Sequence, residues 1–320
     1  MDSIRDNFSF LGTGYRHCKL EFMNVENIHV IRKSCSSLQT VVEERFDDPL
    51  WNTLVDASGW MTHVRILLSA SARVADVMDH EGASALVRCS DGWDRTSQMV
   101  SLAQIMLSPY YRTMEGFQLL IEKDWIAFGH KFHQRHGHLD RSFDDSQRAP
   151  IFLQYLDAVW QLTAQFPCSF EFNESFLIEI AEEAYACVYG TFLLNSEMER
   201  KEAELRRRTV SLWTDMNQKK EMYRNVFYFP DTHTMIPNVT CDSILLWKSF
   251  FLRFRVTPMC GMTKELRFLQ MESALNAKEK QIAELLRQME EMKQKSDDVT
   301  AVVFNCDDGD GEEDKGKGEE

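Results

Sequence analysis

The sequence predicts an α/β fold that becomes helix-rich after one loop and closes on a heptad-patterned segment. Three observations carry this. An apolar run, Ala83 to Val87, enters Arg88-Cys89-Ser90-Asp91-Gly92-Trp93-Asp94-Arg95-Thr96, and Thr96 to Leu102 leaves with helical spacing: strand, tight loop, helix. Beyond it, periodicity and the breaks at Pro109, Pro150 and Pro167 predict helices near 96–107, 112–128, 150–165, 174–188 and 197–206. Phe268, Leu275, Ile282 and Met289 then recur every seven residues, with Met271, Leu285 and Met292 in the companion row and Lys278 interrupting it.

Taken in order, Met1 to Leu11 shows no capped helix, and Gly12-Thr13-Gly14 reads as a turn. Lys19 to Val25 alternates as a short strand does. Asn27 is a helix cap for a stretch whose Val30, Ile31, Leu38, Val41 and Val42 share one face. After the turn at Asp47-Asp48-Pro49, a second helix carries Val64, Leu67, Leu68, Val74 and Met78. The heptad segment predicts a coiled coil over 259–296, against a solvated helix docked on the domain. Residues 297–320, rich in Asp, Glu and Gly, predict disorder.

The 320 residues carry a net charge of −14, which argues against a nucleic-acid partner. Residues 297–320 hold ten acids and two lysines, so −8 is local and −6 remains for the rest. A basic face on an acidic body is therefore permitted. Eight cysteines without regular spacing, and no secretory signal, read as reduced thiols of a cytoplasmic protein. No stretch of 18 apolar residues is present.

The loop has its own chemistry. Backbone N–H groups and the positive helix end converge on one spot suited to a phosphate dianion. The same field favours a thiolate at Cys89, a nucleophile. Arg95 offers a planar clamp to phosphate oxygens, and Asp94 is the general acid for a departing alcohol. A buried structural cysteine in an α/β loop is the plainer alternative.

The string Cys-Ser-Asp-Gly-Trp-Asp-Arg-Thr, at 89–96, resembles the signature loop of the myotubularins, cysteine-based phosphoinositide 3-phosphatases. Similarity extends over about residues 12 to 250, through Glu26-Asn27-Ile28-His29-Val30, Pro49-Leu50-Trp51, Tyr110-Tyr111-Arg112-Thr113, Phe128-Gly129-His130-Lys131-Phe132 and Phe170-Glu171-Phe172-Asn173-Glu174. The resemblance implies a protein-tyrosine-phosphatase-like α/β fold in an N-terminally incomplete phosphatase domain, 1–258. It implies removal of the D3 phosphate from phosphatidylinositol 3-phosphate and phosphatidylinositol 3,5-bisphosphate through a cysteinyl-phosphate, without cofactor or metal, by Cys89, Asp94 and Arg95. Ser90, Asp91, Gly92 and Trp93 would line the substrate site. Asn27 and Ile28 match a headgroup position, and Lys131 with Arg135 would grip ring phosphates from one helix face; a cap and a solvated basic face are the alternatives. The implied partners are phosphoinositide lipids at endosomal membranes and family relatives joined through the coiled coil.

Two features point elsewhere. Arg88 stands where the family has a histidine before the nucleophile, and few strands precede Cys89. The competing expectation is a catalytically impaired adaptor that dimerises with an active phosphatase. Loop chemistry alone also permits a protein-tyrosine phosphatase. His130, His133, His136 and His138 suggest packing and surface histidines more than a metal site.

Overall fold

The computed structural model describes residues 18–46, 48–138 and 146–254, together with Ile282, Leu286 and Arg287. The chain divides after Arg255. In the C-terminal unit, Ile282, Leu286 and Arg287 are helical and exposed. The Gly12-Thr13-Gly14 turn, the remaining heptad positions and the acidic segment lie outside the described residues.

The N-terminal unit is helical. It comprises α1 (Ile28–Glu44), α2 (Trp51–Ala57), α3 (Trp60–Asp79), α4 (Arg95–Leu107) and α5 (Met114–Ile121). A 3-10 turn (Pro109–Arg112) precedes α5, and a π-helical turn (Glu122–Ala127) continues it. There follow α6 (Phe132–His136), α7 (Ile151–Gln165), α8 (Glu174–Ala186), α9 (Glu197–Glu202) and α10 (Leu205–Arg208). The described part ends with α11 (Leu212–Gln218), α12 (Lys220–Tyr223), a 3-10 turn (Cys241–Ser243) and α13 (Lys248–Phe251).

Local chemistry sets the helix ends. Asn27 caps α1, its Oδ1 accepting from the His29 amide at 3.0 Å and the Val30 amide at 3.2 Å. Ile31, Leu38, Val41 and Val42 then face the core, as the spacing predicts. The helix leaving the signature loop, α4, is the centre of the unit. It buries Thr96, Ser97, Gln98, Met99, Ser101, Leu102, Ala103, Ile105 and Met106, too many for one stripe. Two of its polar members are bonded to neighbouring elements. Gln98 Nε2 donates to the Ile151 carbonyl and to Gln154 Oε1, both at 2.9 Å, and Trp125 Nε1 donates to Ser101 Oγ at 3.2 Å. Trp125 also packs on Phe152 and Tyr155 with ring centroids 4.9 and 4.8 Å away, so α7 and the π-helical turn are locked around α4.

The α/β expectation is corrected here. Among the described residues there is no strand, and the isolated bridge between Phe172 and Arg224 is the one extended pairing. Lys19 to Val25 and Ala83 to Val87, both expected as strands, run without regular secondary structure. Leu20 is 52% exposed, Phe22 57% and Leu86 95%. The reason is non-local. Alternation and β-branching only permit a strand; a ladder needs a neighbouring strand, and among the described residues no strand lies against either segment. The described residues therefore form not the two-layer phosphatase architecture but a helical body whose signature loop is entered from irregular backbone.

Arg112 fastens the far end of α4. Fully buried, its guanidinium donates to the carbonyls of Ile105 (2.9 Å), Met106 (2.8 Å), Asp231 (2.8 Å) and His233 (2.9 Å). Replacing it removes four hydrogen bonds, two of them buried, and leaves the Ile105 carbonyl without this donor. Arg112→Met is expected to cost at least about 3 kcal/mol in denaturant unfolding. A loss below about 0.5 kcal/mol, the range of ordinary surface changes, would contradict this role.

Candidate phosphate-binding site

The signature loop joins segment 83–88, which has no regular secondary structure, to the first turn of α4. Gly92 adopts φ +97°, a conformation that disfavours a Cβ, and this turn brings its amide back to donate to Cys89 Sγ at 3.2 Å. Burial pushes the Cys89 thiol up. The buried Thr96 hydroxyl, which has no partner within normal hydrogen-bond length, and the Thr96, Gly92 and Asp91 amides outweigh burial and bring it below the ordinary thiol value. Cys89 is therefore biased toward thiolate.

Arg95 bridges the loop to the residues ahead of α1. Its Nη2 donates to Ser90 Oγ at 3.2 Å and its Nη1 to the Val25 carbonyl at 3.3 Å. Ser90 in turn donates to Asp91 Oδ2 at 3.1 Å. This places Asn27 and half-buried Ile28 two and three residues beyond an atom that Arg95 touches, although the Asn27 side chain is occupied as a cap.

Lys131 and Arg135, expected on one helix face, go different ways. Helix α6 starts at Phe132; Lys131 precedes it with ψ 66°, so four-residue helical spacing does not apply. Lys131 Nζ lies over the Trp93 ring, 4.1 Å from its centroid, beside the loop. Arg135 turns inward. It is 5% exposed and forks onto Asp94, Nε to Oδ1 at 3.2 Å and Nη2 to Oδ2 at 2.8 Å. Its Nη1 reaches the Gln147 carbonyl at 3.0 Å and Gln147 Oε1 at 3.3 Å.

His130 completes the arrangement. Its buried Nδ1 sits 2.8 Å from the Trp93 carbonyl and 3.2 Å from Asp94 Oδ1. Both neighbours only accept, so the proton is on Nδ1. Burial alone would raise the Asp94 carboxyl; the hydrogen bonds from His130 and Arg135 override it and bring it down to about 2. Asp94 is thus a paired carboxylate at neutral pH, with no proton to give. Sequence reasoning treated His130 as packing; its position after Gly129, itself at φ +93°, is the signal that the chain turns back onto the loop there. The other histidines are held apart from the loop: His136 Nδ1 on the Phe132 carbonyl at 3.1 Å and His138 Nε2 on the Ala184 carbonyl at 2.6 Å.

These observations correct the expectation of a working phosphatidylinositol 3-phosphatase, and with it the hydrolase reading. Among the described residues no sheet carries the loop, and the residue expected to donate the proton is ionised and clamped. What the structure shows of the loop is Arg95 on Ser90 Oγ and the Val25 carbonyl, and the Gly92 amide on Cys89 Sγ, at the start of α4.

Two outcomes follow. Arg135→Ala leaves the Asp94 carboxylate buried without one of its two partners and is expected to cost about 3–5 kcal/mol of stability, read by denaturant unfolding. Alkylation of Cys89 by iodoacetamide should show a pH midpoint below that of a free thiol, rising in Thr96→Val. A midpoint at the ordinary value in both proteins would contradict the thiolate assignment.

Comparison with known proteins identifies the family. Residues 10–201 match the myotubularin-like phosphatase domain. The chain is 44% identical over 241 residues to myotubularin of Rattus norvegicus, covering 75% of this chain and 40% of that protein. It is 43% identical over 239 residues to phosphatidylinositol-3,5-bisphosphate 3-phosphatase MTMR4 of Mus musculus, covering 74% of this chain and 20% of that one. For the MTMR2 enzyme of Bos taurus the identity is 42% over 241 residues, 75% of this chain and 38% of the relative. The chain thus spans two-fifths or less of the length of these relatives. The shared span includes the loop of Cys89 and Arg95, the α1 cap and the Asp94–Arg135 pair, and by this extent of identity the chain belongs to the myotubularin family.

Proposed function

We propose that the chain is a catalytically impaired myotubularin-like adaptor. It holds a phosphoinositide headgroup at the signature loop without hydrolysing it and dimerises with an active relative. The observation that carries this reading is the buried Asp94–Arg135 pair with His130, which keeps Asp94 ionised and so without a proton for an inositol alkoxide. The exposed entry at Leu86 supports it further.

Binding would use the Ser90, Asp91, Gly92 and Trp93 backbone, the Arg95 clamp and Lys131, with Asn27 and Ile28 at the rim. The phosphatidylinositol-3,5-bisphosphate named for the MTMR4 and MTMR2 relatives supplies the headgroup class. In this reading 1–258 is the phosphatase-like domain, 259–296 the dimer seam and 297–320 an acidic tail. Among the described residues no helix is long and apolar enough to cross a membrane. Peripheral attachment at the cytoplasmic face of endosomal membranes is the arrangement we propose.

The test mixes the 320-residue chain with soluble short-chain phosphatidylinositol 3-phosphate, then with rat myotubularin. The chain alone is expected to bind the lipid, to release no phosphate burst, and to form a complex of raised mass with the relative. Arg95→Ala should abolish lipid binding, whereas Cys89→Ser, which removes the negative sulfur, should preserve or tighten it. A burst of phosphate that vanishes in Cys89→Ser would overturn the reading.

A further inference from the structure

Two stretches of irregular backbone lead to the signature loop, residues 18–27 ahead of α1 and residues 83–88 ahead of Cys89. Arg73, on α3, is bonded at the head of both. It forks onto Glu21, Nε to Oε2 and Nη2 to Oε1, both at 2.9 Å. Its Nη1 lies 2.8 Å from Asp76 Oδ2, one turn along α3, and 2.6 Å from Glu81 Oε1, where the chain leaves that helix. A lone ion pair at the surface contributes little; a two-point fork inside a network of three carboxylates keeps its geometry. The hydrogen bonds from Arg73 and then Lys19 bring the Glu21 carboxyl down to about 2, so it stays ionised.

A second link runs from Glu21 to the loop. Three residues on, Asn24 takes φ +54°, a left-handed conformation that asparagine tolerates better than most residues. Met23 and Val25, to either side of it, pack against the core. The Val25 carbonyl then accepts from Arg95 Nη1 at 3.3 Å, while Ser90 Oγ accepts from Arg95 Nη2 at 3.2 Å. A planar guanidinium held at both terminal nitrogens has its plane fixed before a ligand arrives.

We propose that Arg73 is a positioning residue for Arg95. Through Glu21 it fixes the strip that carries the Val25 carbonyl, and so sets the plane of the guanidinium that meets a phosphate ester. This rests on the headgroup-holding reading of the signature loop. The contribution is one of preorganisation: a ligand that meets a fixed fork loses less freedom on binding than one that must order it. Asp76 anchors the same guanidinium from α3 itself, outside the strip, and so serves as the internal control.

The test measures, by calorimetry, the affinity of the full chain for soluble short-chain phosphatidylinositol 3-phosphate. Glu21→Gln and Arg73→Gln are each expected to weaken it about 10-fold, and the two together no further. Asp76→Asn should change it by less than about 2-fold. In an Arg95→Lys background a point charge replaces the fork, and there Glu21→Gln should add nothing. A merely structural role would weaken binding equally in both backgrounds, and that result would overturn the proposal. So would affinity unchanged by Glu21→Gln in a chain whose binding Arg95→Ala abolishes; the signature-loop reading would then stand without the positioning role. Equal binding by the Arg95→Ala and unsubstituted chains would overturn the loop reading and the positioning role with it.

Discussion

The bonds between Asp94 and Arg135 organise the site. One buried guanidinium fork joins the signature loop to α6, and through Gln147 to the segment ahead of α7. It also decides the chemistry. A carboxylate held by a guanidinium and by the Nδ1 of His130 stays ionised, so the group that would protonate a leaving alkoxide is unable to do so. Linkage gives the sign: the pair contributes its full stability above the ordinary carboxylate range, and that contribution is lost as pH falls toward 2. The contacts of Arg95 with Ser90 and of the Gly92 amide with Cys89 do not depend on a proton from Asp94.

The helices were legible in the sequence because their causes are local. Asn27 and the apolar face of α1 predict a helix that the structure bounds at Ile28–Glu44, and Pro150 marks the start of α7 at Ile151. The strands were misread because their causes are not local. Ala83 to Val87 has strand composition, but no strand among the described residues pairs with it, and Leu86 is left in solvent.

The site was legible in part. Cys89, Ser90 and Arg95 lie close together on the loop because a short segment that must turn at Gly92 and enter α4 leaves little freedom. Arg135 was not legible, since four-residue spacing from Lys131 assumes that both lie inside one helix, whereas α6 begins between them. His130 was hidden for the opposite reason. Its role depends on Gly129 reversing the chain against Trp93, a tertiary event with no periodic signature. Buried polar partners of this kind emerge only when separate elements meet.

The account stands or falls on the protonation state of one carboxyl. Carbon-13 NMR of selectively labelled aspartate, followed through an acid titration of the folded chain, reads Asp94 directly. The account predicts a midpoint near 2, below the ordinary aspartate range, and an upward move in Arg135→Gln. A midpoint at about 6–7 in the unsubstituted protein, where a general acid is poised, would contradict it.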